Sequence, residues 1–123
     1  DHGLSFFSNG LLTSQKNLSE KKDLVTRMVA ATSEAWTAAQ GNASAAVQSM
    51  KGASEQLPSE TVLTEQFNAT IKLLHTSKTT GKAPGVNDEA DWRETIKVFA
   101  DAGVIQKAQE PSAYWDVSFA PKG

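Results

Sequence analysis

A mostly α chain, α+β in class with about four helices and a short strand region at its N-terminal end, is predicted by three features of the sequence. Apolar residues recur at three- and four-residue steps over most of the chain, and Gly and Asn punctuate those stretches. An aromatic segment interrupted by Asn-Gly precedes them.

Residues 4–13 carry Leu4, Phe6, Phe7, Leu11 and Leu12 around Asn9-Gly10, the pattern of two brief extended pieces joined by a turn. Two strands of that length are marginal alone, so they need a sheet from elsewhere. From Ser19, a predicted N-cap, the period becomes helical. Leu24, Val25, Met28, Val29, Thr32, Ala35, Trp36 and Ala39 form the stripe, and Gly41 offers the stop. Residues 43–51 predict a second helix between Asn42 and Gly52. Its face is mostly alanine with Val47 and Met50, which favours close packing on a neighbour.

Pro58 and Ser59 open a third helix with the stripe Val62, Leu63, Phe67, Ile71 and Leu74. Residues 76–85 have the composition of an exposed loop. A fourth helix is expected from about Asp88, capped by Asn87 or Asp88. Trp92, Ile96, Phe99 and Ala102 form its buried edge and Gly103 ends it. The tail keeps Tyr114, Trp115, Val117 and Phe119, too many large apolar groups for a segment with nothing to dock on.

Composition excludes several functions. The chain has 123 residues, a net charge of −2 and no cysteine. Its lysines are dispersed instead of gathered into the basic face that phosphate binding needs, so nucleic acid is a poor partner. Without cysteine there are no disulfides, thiolate metal sites or cysteine nucleophiles in these residues. No apolar run approaches the roughly 18 residues of a membrane span. The opening Asp1-His2-Gly3-Leu4, with neither a start methionine nor a signal peptide, reads as a processed or cut edge.

No catalytic or metal-binding constellation emerges, and no cofactor is expected. His2 and His75 stand far apart, outside any ligand-spaced cluster. His75 is expected at a helix end, where its charge suits the negative pole. Asp88, Glu89, Asp91 and Glu94 lack the spacing of a calcium loop and read as a helix start. The order and spacing of a phosphate-binding loop are absent around Gly81-Lys82, and no nucleophile elbow surrounds any serine. The candidate ligand contacts are Phe7, Ser8 and Asn9: aromatic and amide groups beside a glycine that allows close backbone approach. A plain strand-turn-strand edge with a buried Phe is the alternative at that point.

Gly10-Leu11-Leu12-Thr13-Ser14-Gln15-Lys16, then Asp23-Leu24-Val25-Thr26-Arg27-Met28-Val29-Ala30-Ala31-Thr32, then Ala35-Trp36, resembles a motif of bacterial substrate-binding proteins of the nitrate, sulfonate, taurine and thiamine-pyrimidine group. Gly81-Lys82-Ala83-Pro84-Gly85, Asp91-Trp92 and Ala102-Gly103-Val104-Ile105 are similar to that group's closing motifs. The helix at 43–51 is poorer in large apolar residues than is usual there. The resemblance implies that residues 1–123 are the helix-rich C-terminal part of a two-lobed α/β solute-binding protein of an ABC importer, its N-terminal portion absent. It implies a periplasmic or extracytoplasmic place, free or as a membrane-tethered lipoprotein, with a permease as partner, a small solute as ligand and no catalytic step. It puts Phe7, Ser8 and Asn9 near the cleft. Same-fold pyrimidine-precursor synthases or desulfinases, and a helical protein-interaction module, are the rivals. Stripes built to cover a missing sheet should leave the chain prone to self-association, by exchange of its N-terminal strand among other routes.

Overall fold

The computed structural model describes residues 9–122. They form five α-helices and no strand: α1 (Gln15–Glu20), α2 (Lys22–Gly41), α3 (Ala43–Ser49), α4 (Glu60–Ile71) and α5 (Glu89–Asp101). Two single-turn 3₁₀ helices, Pro111–Ala113 and Val117–Phe119, lie in the tail. The chain is mostly α, and the expected strand region is corrected over residues 9–13, which have no regular structure. A lone extended segment has no neighbour to complete a ladder of hydrogen bonds. The rest of that region, residues 4–8, lies outside the described residues.

Helix starts follow side-chain acceptors. Ser14 Oγ accepts from the Asn17 N–H at 3.2 Å and begins α1, a helix the apolar period did not announce. Ser19 is therefore no N-cap; it lies inside α1 and donates its hydroxyl to the Lys16 carbonyl at 3.0 Å. The chain bends at Lys21, outside helical geometry at φ −130°, before α2 begins. Asn42 Oδ1 accepts from Ala45 N–H at 3.0 Å to start α3, and Ser59 Oγ caps α4 by accepting from Val62 N–H. At α5 the cap is Asp88, which accepts from Ala90 N–H at 2.9 Å, while Asn87 donates its amide to the Gly85 carbonyl. Each cap satisfies an amide that the first helical turn leaves unpaired.

The core is small. Val47 on α3 is 1% exposed, Leu63 on α4 8% and Ile96 on α5 6%, and besides these only the prolines Pro84 and Pro111 are buried apolar side chains among the described residues. α3 packs on α4 and on α2, its alanines allowing close approach. Trp36 of α2 stacks on Phe67 of α4 with ring centroids 6.2 Å apart and planes 10° from parallel. Val62 departs from its expected place in the α4 core stripe: it is exposed, so the buried line of that helix runs through Leu63 and half-buried Phe67 and Ile71. On α5 the buried edge takes in Thr95 beside Ile96, with Trp92 and Phe99 half-buried, whereas Ala102 is exposed.

The tail docks, as its apolar content requires. Trp115 stacks on Trp92 at 6.3 Å, the first 3₁₀ turn packs on α5 and the second on α2. Tyr114 and Val117 stay exposed. The loop between α4 and α5 is less exposed than its composition suggests, since Thr79 and Pro84 are buried. Gly85 has φ +93° and lies against Pro121 of the tail, where an added Cβ would meet the Pro121 ring at 3.3 Å.

Because so few residues carry the core, Leu63→Ala is expected to cost about 2–3 kcal/mol, a large share of the stability of so lightly packed a chain. Leu12→Ala, at a side chain 97% exposed, is expected to cost under about 0.5 kcal/mol. Urea unfolding followed by circular dichroism compares the two; equal losses would show that the core lies elsewhere.

Candidate functional site

Of the three candidate ligand contacts, Phe7 and Ser8 lie outside the described residues. Asn9 is exposed and sits in the irregular segment before α1. No site is assembled around it among the described residues. Three other places carry the candidate features of the described residues.

The first is the outer face of α2. Leu24, Met28, Ala31 and Ala35 follow one another at steps of four, three and four residues, which brings them onto one line along the helix. All four are exposed, Leu24 by 53% and Met28 by 56%. The inner face of the same helix runs through Val25, Val29, Ser33, Trp36 and Gln40, all half-buried or buried. An open groove of about 430 Å³ separates the two faces, walled by Met28, Thr32, Ala35, Trp36 and Ala39, with Ser49 of α3 at its end. Sequence reasoning merged both faces into one stripe. The signal was present in the adjacent apolar pairs Leu24-Val25, Met28-Val29 and Ala35-Trp36, which span a wider arc than one neighbour covers.

A second cavity, about 250 Å³, lies between α3, the segment after it and α4, lined by Val47, Leu57, Pro58 and Leu63 with Lys51 and Glu60 at its rim. Glu60 receives Lys51 at 3.0 Å and the Gln48 amide at 2.5 Å, so the rim charges are spent on each other.

The third place is a polar clasp in the loop before α5. Thr76 Oγ1 donates to Asp91 Oδ2 at 2.6 Å, and the Lys78 ammonium meets Asp91 Oδ1 at 2.5 Å. The Thr76 N–H donates in turn to Thr79 Oγ1 at 2.9 Å. The Asp91 side chain is only 12% exposed. Burial by itself pushes its carboxyl upward, but the hydrogen bonds from Lys78 and Thr76 outweigh that and hold it below the usual carboxylate range. The same bond holds the Lys78 ammonium above its ordinary value. No local signal in the sequence joins Thr76 to Asp91, which stand 15 residues apart.

Neither chain family nor fold neighbour supplies an analogy. No protein-family model, curated protein or solved structure matches this chain. The chemistry therefore rests on these residues alone. Among the described residues, no group of three His, Asp or Glu side chains is placed to hold a metal ion. His75 lies past the end of α4 at Ile71, not in its last turn. Its Nε2 is 3.2 Å from the Gln40 amide nitrogen of α2, and its Nδ1 is buried without a hydrogen-bond partner. The histidine thus joins two elements instead of capping a helix. What the arrangement offers is apolar surface on α2 and a rigid ionic clasp beneath α5.

The clasp gives a signed pH dependence. Asp91 is depressed, so its stabilisation is complete above the unfolded carboxyl value of about 3.9 and is lost as pH falls through its lower folded value. Asp91→Asn is expected to lower the urea midpoint near neutral pH and to flatten the further decline below about pH 4. An acid decline as steep in the variant as in the parent would assign it to other carboxylates.

Proposed function

We propose that the chain is the helix-rich C-terminal part of a solute-binding receptor for an ABC importer, acting outside the cytoplasm. The captured solute is a small molecule of the sulfonate, nitrate, taurine or pyrimidine kind, held between two lobes and passed to a permease. There is no catalytic step: the work is done by a ligand that binds the closed arrangement better than the open one and so shifts the population toward it.

One observation carries this reading beside the motif order. The chain exposes 9147 Å², whereas a compact monomer of its mass exposes about 6,400 Å². The large apolar side chains left exposed include Leu11, Leu12, Leu24, Met28, Leu73 and Val104. Such a surface suits a segment whose helices cover part of a larger core. Of the resembling motifs, the first begins in the irregular segment before α1, and the others fall on α2, on the loop that Thr76 and Asp91 clasp, on α5 and on the turn at Gly103.

The same exposed apolar surface also favours a second reading, a helical module whose open faces take a protein partner. Calorimetric titration of the full-length protein with taurine, nitrate, an alkyl sulfonate and a pyrimidine separates the two. Saturable one-to-one binding of one of these solutes is expected. Absence of heat with all four, together with a cooperative monomeric transition for residues 1–123 alone, would replace the receptor by the module.

A further inference from the structure

The outer face of α2 has the features of a self-complementary helix pair. It is a 20-residue helix, about 30 Å long. Its exposed line is graded: the large Leu24 and Met28 occupy the N-terminal half and the small Ala31 and Ala35 the C-terminal half. Arg27 and Glu34, seven residues apart and therefore on one flank of that line, carry opposite charges. Glu34 has no ion-pair partner among the described residues, and Arg27 has only the exposed Asp23 at 2.9 Å.

We infer that two copies of this chain associate through α2 in antiparallel orientation. A parallel pair would set Leu24 on Leu24 and Met28 on Met28, leave a gap between the alanines, and bring Arg27 to Arg27 and Glu34 to Glu34. The antiparallel pair seats Leu24 over the partner's Ala35 and Met28 over the partner's Ala31. It also brings Arg27 toward the partner's Glu34 twice, once on each side of the two-fold axis. Large meets small along the whole line, which lets the backbones approach and fills the groove beside Trp36. The inference rests on the α2 surface and not on the receptor reading, and its test uses residues 1–123 alone, so its failure leaves solute binding by the full-length protein untouched.

Sedimentation velocity of residues 1–123 across a concentration series tests it, with circular dichroism to confirm that helix content holds. A concentration-dependent dimer is expected. Ala35→Glu, which puts a charge under the partner's Leu24, is expected to return it to monomer without loss of helix. Arg27→Glu alone is expected to weaken association by about tenfold, because two attractive contacts become repulsive. Arg27→Glu combined with Glu34→Arg is expected to restore it; since the double variant does not rebuild the Arg27–Asp23 pair, recovery reports the contact between copies. A monomer at every concentration overturns the inference, as does an assembly that survives Ala35→Glu or fails to recover in the double variant.

Discussion

Packing of α3 on α4, which buries Val47 and Leu63 and is reinforced by the Trp36–Phe67 stack, is the constraint on which the other helices depend. α3 spans only seven residues, too short to be helical alone, and holds its shape because one face is pinned. Through α3 and the aromatic stack, α4 is fixed to α2, and α2 in turn receives the second 3₁₀ turn of the tail. With so little apolar area removed from water, this network has no redundancy. Most of the exposed ion pairs join residues one turn apart on a single helix, where they add a few tenths of a kcal/mol at most.

Two adjacent residues link the two halves of the chain. His75 reaches Gln40 on α2, and Thr76 reaches Asp91 at the start of α5. A loop that by composition would wander is thus held at both sides by hydrogen bonds, and its buried Thr79 closes the turn from within. α5 gains a second attachment from Arg93, which joins Glu89 on its own helix at 2.6 Å to Glu110 ahead of the tail's first turn at 2.8 Å. The stacked Trp92–Trp115 pair does the apolar part of the same task, worth about 0.5–1.5 kcal/mol beyond simple burial. Polar clasps of this kind substitute for core where core is scarce.

What the sequence made legible follows from how local each determinant is. Asn42, Ser59 and Asp88 start helices through contacts two or three residues away, so their role can be read from the string. Ser19 misled because Ser14, five residues earlier, offers an equivalent oxygen and α1 has no apolar stripe to announce it. The partition of α2 into a covered and an uncovered face was not legible, because alternating pairs of apolar residues specify the width of an apolar arc and not how much of it a neighbour occupies. Nor was the Thr76–Asp91 clasp, whose partners stand 15 residues apart with nothing local to join them. For the candidate contacts, only exposed Asn9 falls among the described residues, so the sequence reading of Phe7 and Ser8 stands as an expectation.

The uncovered face of α2 has two covers to choose between, and the choice is one of concentration. A lobe carried in the same polypeptide presents its surface at an effective concentration in the millimolar range, whereas a second copy is present at its bulk concentration, commonly a thousandfold lower. Intramolecular cover therefore wins unless the pairing of two α2 helices is about 4 kcal/mol the stronger. An interface built from one Leu, one Met and alanines, with exposed charges on its rim, does not reach that margin. The self-pairing inferred for α2 is thus expected of residues 1–123 alone, and in a larger receptor of the kind proposed the same residues would be buried and the dimer suppressed. The graded line of large and small side chains serves either cover, since what it requires is a neighbour that approaches closely at Ala31 and Ala35.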